Sequence, residues 1–370
     1  LVAEGLSEPA YLNSIKEDPL KKGLLFAATE LSVAVSFDDG DHWQSLKQNL
    51  PAVSVRDLVI HGDDVAIATF GRGFWIMDNI TPLRQAFDAS EAPDATLFKP
   101  ADAIRLNPET FFGTPFPPEE PQAKNPPDGA IIDYWLKAPG EVTLEILDAR
   151  GAPVRQYSSA EAPRAGRGGA QAIADYWIMP PARLTGNAGH NRFVWDLRYA
   201  LPGASTGGGR GGQGPQVLPG TYQVKLSAAG RTYTEPMQVK LDPRSTATPL
   251  DIQKQYELSM SILADMKRVA DLQAQAAAMR RALDGKPDAA QREREIARIV
   301  GAGGGGGRGG RGAAPAGGAP TLASVNAMLS TALSVAGSAD RTPPATAYTL
   351  AADARRELTR LLAEWSALPR

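Results

Sequence analysis

The chain has 370 residues, of which 43% are hydrophobic and 22% are charged, with a formal net charge of −2. This composition is typical of a globular protein with two or three domains. The near-zero charge excludes a global electrostatic attraction to nucleic acid or to an anionic membrane. The absence of cysteine excludes disulfides, Cys-ligated zinc and thiol nucleophiles. No apolar run approaches the roughly 20 residues of a membrane helix, so we expect no membrane insertion.

Residues 1–85 have the pattern of a β-meander, in which short apolar runs and Gly/Asp turns alternate every roughly 8–12 residues. The predicted strands lie within residues 23–30, 31–40, 42–49, 55–64, 65–73 and 74–79. Two units of three or four strands fit two blades of a β-propeller, which needs about 4–8 blades to close. We therefore expect the C-terminal blades of a propeller here. We also expect a fragment whose true N-terminus and any export signal lie upstream of Leu1.

Residues 86–129 are rich in proline and poor in periodicity, which predicts an extended linker or surface strap. Residues 130–243 return to alternating apolar and polar positions. They predict six or seven short strands, the number found in a small β-sandwich. Two insertions, 159–190 and 202–215, interrupt these strands.

Two hairpin turns are predicted in the sandwich. Residues 148–151 contain Asp and Gly, residues 228–231 contain Ala-Gly, and each sequence separates two neighbouring strands. The aromatic residues Trp195 and Tyr222 fall at alternating positions of predicted strands. We interpret both as core residues of the sandwich, in preference to a ligand platform.

The pattern becomes helical over residues 248–368. Thr248 is the predicted N-cap of the first helix, with Pro249 at its first position and Asp251 as capping-box partner. Further helices are predicted at residues 291–300, 321–336 and 346–367, and residues 301–320 form a glycine-rich linker. Because these helices are apolar on one face, they predict a hairpin or small bundle. The predicted fold class is therefore mainly β with an α-helical C-terminal region.

The most specific motif is S-x-D-x-G-x-x-W, formed by Ser36, Asp38, Gly40 and Trp43. It resembles the Asp-box of BNR-repeat propellers such as sialidases, sortilin-type proteins and xyloglucanases. In those families the box lies at the propeller periphery, so the resemblance implies a structural role. Asp38 can accept backbone hydrogen bonds in a tight turn, and Gly40 tolerates a positive φ. Calcium is not expected, because an EF-hand loop needs a longer ligand pattern.

Residues 68–79 resemble the last-blade strand pair of sortilin-type bacterial BNR proteins. Arg72 lies between two glycines at a predicted turn. Arg72 is a candidate to bind a carboxylate or a sugar at the central face of the propeller, and Glu30 is a second candidate ligand-binding residue. The alternative is an ordinary turn arginine that forms a salt bridge. A phosphate-binding loop is excluded, because no helix and no P-loop lysine follow.

Residues 130–243 are similar to the Ig-like module that follows such propellers, and to the Ig-like domain of flagellar hook-capping proteins. The combined resemblance covers most of residues 1–260 and implies an exported bacterial protein with an extracytoplasmic location, whether periplasmic, outer-surface or secreted. It implies binding or scaffolding of a glycan or a protein ligand. Two alternatives remain open, namely a glycoside hydrolase with its catalytic blades upstream and a sortilin-like sorting or chaperone role.

Catalytic chemistry has no visible constellation in this sequence. A glycosidase needs two facing carboxylates, and nothing pairs the candidates Glu30, Asp57 and Asp78. The three histidines lack metal-ligand spacing, so we expect neither a metal nor a cofactor. Short Arg/Gly tracts resemble RNA-binding segments but lack interleaved aromatic residues, and loop insertion without nucleic-acid binding is the better interpretation.

Overall fold

The computed structural model describes residues 4–5, 11–86, 92–107, 119, 123, 125–161, 182–202, 213–283, 289–301 and 319–368. Over these residues the protein is mainly β, in four sheets, with helices concentrated at the C-terminal end. The predicted fold class is therefore confirmed. The described chain forms three bodies, which we call the paired sheets, the sandwich and the helical region.

The paired sheets are two antiparallel meanders. The first contains β1 (Leu12–Glu17), β2 (Leu25–Thr29), β3 (Val33–Ser36) and β4 (Gln44–Ser45), and the second contains β5 (Val55–His61), β6 (Asp64–Thr69) and β7 (Phe74–Met77). The facing sides of both sheets supply one apolar core, which includes Phe26, Val35, Leu58 and Ile67. Burial of this shared core holds the two meanders together.

Two strands of the first sheet differ from the sequence prediction. Of the strand predicted at residues 42–49, only the two-residue β4 forms. The backbone groups on either side of β4 belong to turns, and after β4 Leu50 N donates to Lys47 O at 2.8 Å. β1 precedes the predicted strands, and none of its residues is fully buried. A strand without a regular apolar alternation gives no signal at the level of the sequence.

The turns of the paired sheets gather at two ends. At one, which we call the loop end, the β2–β3 turn and the β6–β7 turn both meet the segment before β5. Val53 N donates to Leu31 O at 3.3 Å, and Phe70 N donates to Ser54 O at 2.8 Å. At the other, the turn end, Asp39 N donates to Gly23 O at 3.0 Å.

The side chain of Arg84 holds the two meanders together at the turn end. Arg84, at the end of the short helix α1 (Thr81–Arg84), donates to buried Asp18 at 2.9 Å and also pairs with Asp63. Its Nη2 donates to the Gly62 carbonyl at 2.8 Å. Since Asp18 belongs to the first sheet and Asp63 to the second, one guanidinium bridges both meanders.

The sandwich consists of two sheets on one core. Its strands are β8 (Ala95–Leu97), β9 (Ala103–Arg105), β10 (Ala130–Leu136), β11 (Thr143–Leu147), β12 (Pro153–Ser158), β13 (Gly189–Trp195), β14 (Gly220–Ala228) and β15 (Arg231–Leu241). The sheet orders are β13-β10-β8 and β12-β11-β14-β15-β9. Trp195 is fully buried, and its ring lies 5.7 Å from that of Tyr222. Both residues are thus part of the core, as predicted.

The segment predicted as a linker contains two of these strands, and this is a correction to the predicted strap. β8 pairs with β10, and β9 pairs in parallel with β15. Each has only three residues, which is too short to show a periodicity of two. The predicted hairpin turn at 228–231 forms with positive φ at Ala229 and Gly230, as a tight two-residue hairpin requires.

The helical region contains α2 (Pro249–Ala282), α3 (Ala289–Val300), α4 (Leu322–Ala336) and α5 (Ala345–Ser366), close to the predicted bounds. Thr248 accepts from Asp251 N, and the Asp251 carboxylate accepts from Thr248 N, which forms the predicted capping box. The helices share one apolar core, which includes Ile262, Val269, Leu329 and Leu358. Gly285 and Pro287, which the sequence predicts to end the first helix, lie outside the described residues, as does most of each Arg/Gly tract.

Candidate functional site

The turn between β3 and β4 is organised around Asp38. Its Oδ1 accepts from Ser36 Oγ at 2.8 Å and from His42 N at 2.9 Å, and Ser36 Oγ accepts from Gly40 N at 2.9 Å. Gly40 has φ 96°, and a Cβ there would lie 3.4 Å from Leu25 Cδ1. The side-chain oxygens of Ser36 and Asp38 therefore accept hydrogen bonds from within the turn itself.

Trp43 ends the same turn and is 7% exposed, packed against Ala27 and Ala34 of the first sheet. The four residues predicted from the Asp-box resemblance thus lie in one hairpin at the turn end. This is the opposite end from Arg72 and Glu30, the other two predicted site residues.

Asp38 and His42 form an exposed ion pair, with 2.6 Å between Asp38 Oδ2 and His42 Nδ1. Hydrogen bonds from the backbone and then the ring of His42, together with Ser36, lower the pKa of Asp38 to about 2. The hydrogen bond and the charge of Asp38 raise the pKa of His42 above its ordinary value. We call this contact between Asp38 and His42 the clasp. It stabilises the turn electrostatically, and each of the two side chains already has a partner in the other.

The loop end presents Arg72 to solvent. Arg72 lies in the β6–β7 turn between Gly71 (φ 81°) and Gly73 (φ 70°), and its carbonyl accepts from Trp75 Nε1 at 3.1 Å. Within the described part of the chain its guanidinium has no carboxylate within 4.0 Å. Arg72 is therefore available to an anionic or hydroxyl-bearing ligand.

Glu30, the second predicted ligand-binding residue, also lies at the loop end, and its carboxylate has side-chain partners there. Its Oε1 accepts from Arg56 Nη1 at 3.0 Å and from Asn13 Nδ2 at 3.1 Å. The paired Arg56 lies over the ring of Phe70, 5.2 Å from the ring centroid. Glu30 therefore contacts Arg56, and Arg56 in turn contacts an exposed aromatic ring.

Exposed apolar side chains surround these charges. Tyr11 is 73% exposed, Phe70 is 72% exposed and Phe74 is 84% exposed. No role was predicted from the sequence for Tyr11, Arg56 or Phe70. A signal was present at Phe70 and Phe74, because two phenylalanines flank a Gly-Arg-Gly turn where polar residues are usual. Large exposed aromatic residues beside a free cation are typical of a binding surface.

Of the three carboxylates considered for hydrolysis, Glu30 and Asp78 lie at opposite ends of the paired sheets. Glu30 is at the loop end, whereas Asp78 follows β7 at the turn end. Burial, and then the nearby charge of Asp64, raise the pKa of Asp78. Hydrogen bonds from Ser14 and the Leu58 backbone lower the pKa of Asp57. Glu30 and Asp78 therefore cannot flank one glycosidic bond in this arrangement.

A buried carboxylate joins the paired sheets to the sandwich. Asp133 of β10 is 2% exposed and accepts from Asn79 Nδ2 at 2.8 Å and from Arg192 Nε at 2.8 Å. His190 Nε2 lies 3.0 Å from its Oδ1. Arg192 also donates to the Asp78 carbonyl at 3.0 Å. With donors from Asn79, Arg192 and His190, Asp133 is a structural anchor between the paired sheets and the sandwich.

A second polar junction joins the sandwich to the helical region. Arg105 of β9 is 2% exposed, and its Nη2 donates to Gln255 Oε1 at 2.7 Å and to Asp340 Oδ1 at 3.2 Å. Gln216 Oε1 accepts from its Nε at 3.1 Å. Burial lowers the pKa of Arg105 and raises that of Asp340.

Two further properties concern the described residues alone. Among them, no group of three or more His, Asp or Glu side chains is arranged to hold a metal ion. None of the helices in the described part of the chain combines the length and apolar character needed to cross a membrane.

No family model and no curated protein matches the chain. Two solved structures are similar in part, named as the extracellular domain of a one-component system and of a hybrid two-component system from B. thetaiotaomicron. Each is 11% identical, with TM-scores of 0.17 and 0.16, and they cover 65% and 63% of this chain. The chain spans 26% of the length of each. At these TM-scores the likeness carries no conclusion about the function of this chain.

Proposed function

We propose that the protein is an extracytoplasmic binding and scaffold module that holds a ligand at the loop end of its paired sheets. The observation that carries this proposal is the exposed Arg72, which has no ion-pair partner among the described residues and lies in a turn flanked along the chain by the exposed Phe70 and Phe74. Aromatic faces bind apolar ligand surfaces, and an arginine binds a carboxylate with two hydrogen bonds. The ligand class is a glycan or a peptide that carries a carboxylate beside an apolar face.

The paired sheets are proposed to be two blades of an incomplete propeller, with the loop end at its ligand-binding face. Two successive antiparallel meanders packed face to face support this proposal, as does the Asp-box turn at the opposite end. The location outside the cytoplasm rests on the resemblance of residues 1–260 to exported bacterial proteins.

The scaffold part of the proposal rests on the polar junctions. Arg84 bridges the two sheets, Arg192 fixes the sheets to the sandwich, and Arg105 fixes the sandwich to the helical region. A buried ion pair tolerates little displacement, since a misplaced partner leaves a buried charge unpaired. These contacts would hold the loop end in a constant orientation relative to the C-terminal helices.

The ligand assignment is tested by screening the protein on an array of acidic glycans, matched neutral glycans and peptides with carboxylate side chains. We expect binding to acidic ligands, and a loss of about 1.5–3 kcal/mol of binding free energy in Arg72→Ala, the value of a charge-assisted hydrogen bond. Phe70→Ala is expected to weaken acidic and neutral ligands alike, because it removes apolar contact area that both kinds of ligand would bury.

Arg150→Ala is the matched control, because Arg150 is also an exposed turn arginine but lies in the sandwich. Equal binding by Arg72→Ala and Arg150→Ala would remove Arg72 from the site. A hydrolysed glycan would instead favour the hydrolase alternative, for which the described carboxylates supply no pair. The sortilin-like role has no support beyond the family resemblance.

A further inference from the structure

Arg56 is a second exposed arginine at the loop end, and one edge of its guanidinium is open. Its Nη1 donates to Glu30 Oε1 at 3.0 Å, and its side chain is 51% exposed. Within the described part of the chain, no residue accepts a hydrogen bond from its Nε or Nη2. These two nitrogens form an edge with which an arginine binds a carboxylate through two parallel hydrogen bonds. Arg56 can therefore hold Glu30 and a second carboxylate at the same time.

Two contacts order the Arg56 side chain in the absence of a ligand. Its partner Glu30 also accepts from Asn13 Nδ2 at 3.1 Å, and the same amide nitrogen donates to Val55 O at 2.9 Å. The Cζ of Arg56 lies 5.2 Å from the centroid of the Phe70 ring. A side chain that is already ordered loses less conformational entropy when it binds. Arg56 is thus a preformed anchor for an anionic group.

Phe70 connects the two arginines of the loop end. Arg56 lies over its ring, and Arg72 follows it by two residues in the β6–β7 turn. The Cα atoms of Phe70 and Arg72 are therefore no more than about 7.6 Å apart. Phe70 N donates to Ser54 O at 2.8 Å, which fixes the turn against the segment before β5. The loop end thus combines one exposed ring with two neighbouring exposed guanidiniums.

Further apolar side chains are exposed beside this group. Tyr11 is 73% exposed and Leu31 is 45% exposed. Both adjoin Glu30, because Tyr11 O accepts from Glu30 N at 3.1 Å and Leu31 is the next residue along the chain. Aromatic residues and arginine are enriched where one protein binds another. The surface therefore fits a ligand that combines apolar area with two negative charges.

We propose that the loop end binds a polypeptide segment in which two carboxylate side chains flank an apolar one. This inference rests on the proposed function and adds Arg56 to the site. One carboxylate binds the open edge of Arg56, the other binds Arg72, and the apolar side chain packs on Phe70. In an extended peptide, residues i, i+2 and i+4 line one face at intervals of about 6.6 Å. This interval matches the separation of Phe70 and Arg72.

The probe is a fluorescent peptide with the sequence Gly-Glu-Thr-Leu-Thr-Glu-Gly. One control replaces either Glu with Gln, and another has the same composition in the order Gly-Glu-Leu-Glu-Thr-Thr-Gly, which turns the leucine away from the carboxylates. An oligosaccharide of uronic acids represents glycans with several carboxylates. Fluorescence anisotropy measures binding to the full chain. We expect saturable binding of the probe and about tenfold or more weaker binding of each control, because each loses a charge-assisted hydrogen bond or the apolar contact.

Arg56→Gln and Arg231→Gln form the decisive pair of variants. Both arginines are exposed and lie on strands, but Arg231 belongs to β15 of the sandwich, so the two variants have equal net charge. We expect Arg56→Gln to weaken the probe about tenfold or more and Arg231→Gln to leave it unchanged. Arg56→Lys should restore only part of the affinity, because an ammonium lacks the planar fork. Thermal unfolding verifies that each variant is folded.

Three results would overturn this inference. They are unchanged binding of the probe by Arg56→Gln, equal affinities for the probe and its one-Glu controls, and tighter binding of the uronic-acid oligosaccharide than of the probe. Each of them leaves the proposed function intact if binding of acidic ligands still depends on Arg72. If no acidic ligand binds at all, the proposed function fails and this inference fails with it.

Discussion

Arg105 and Asp340 form an ion pair across 235 positions of the chain, with Arg105 Nη2 donating to Asp340 Oδ1 at 3.2 Å. The arginine belongs to the sheet-edge strand β9, and the aspartate belongs to the connection between α4 and α5. Their side chains are 2% and 9% exposed. The contact is therefore a buried link between the sandwich and the helical region.

Removal of one partner of this pair is expected to destabilise the protein strongly. Asp340→Asn and Arg105→Met each leave a buried charge unpaired, and we expect each to cost about 3–5 kcal/mol. The double variant should lose less free energy of unfolding than the two single variants together, because it leaves no unpaired charge. Urea unfolding followed by circular dichroism measures these values. Arg341→Met, at the exposed neighbouring arginine, is the control. If the losses of stability in the two single variants simply add in the double variant, Arg105 and Asp340 are not coupled.

Asp133→Asn is expected to loosen the junction between the paired sheets and the sandwich. An amide keeps one acceptor but turns its NH₂ group toward the donors of Asn79 or Arg192. We expect a loss of about 2–3 kcal/mol, the range for hydrogen bonds to a buried charged group. Tryptophan fluorescence during urea unfolding measures it. Asp128→Asn, at an exposed position before β10, should change stability little, and an equal loss there would contradict the assignment.

The contact between Asp38 and His42 predicts a pH window for the stability of the β3–β4 turn. The pKa of folded Asp38 is lowered from 3.8 to about 2, so its contribution is present above pH 3.8 and is lost as the pH falls toward 2. The pKa of folded His42 is raised above 6.5, so its contribution is present below pH 6.5 and is lost as the pH rises through the raised value.

The stabilising effect of the clasp should therefore be largest between pH 3.8 and 6.5. His42→Gln keeps the backbone donor and removes the titrating ring. Thermal unfolding of both proteins as a function of pH should show the largest difference in Tm inside this window. A difference in Tm that is constant with pH would mean that the ion pair contributes nothing beyond the backbone hydrogen bonds.

Thr248→Ala is expected to cost about 1 kcal/mol, because it removes the side-chain acceptor for Asp251 N at the start of α2. Asp251 also accepts from Thr342, so the same cap ties α2 to the segment before α5. Thr359→Ala is the control, since Thr359 is an exposed residue inside α5 and alanine favours a helix interior. Thermal unfolding of the helical region distinguishes Thr248→Ala from Thr359→Ala. Equal losses of stability in the two variants would rule out a specific capping contribution of Thr248.

Much of the local structure was predictable because the interactions that specify it lie within a few residues. Ser36, Asp38 and Gly40 interact within one turn, and Thr248 caps a helix through Asp251, three residues later. The short strands β8 and β9 escaped prediction because three residues carry no period. They exist because β10 and β15 offer them an edge with which to pair.

The sequence by itself determined the class of the fold, the rhythm of the meanders, the turns and the helix caps, since each depends on neighbouring residues. Only the tertiary structure decided which end of the paired sheets each charge occupies. It gave Glu30 a partner in Arg56 and left Arg72 without one among the described residues. It also brought Arg105 to Asp340 and Asn79 to Asp133. Such pairs are set by how distant segments pack together, and no periodicity along the chain encodes that packing.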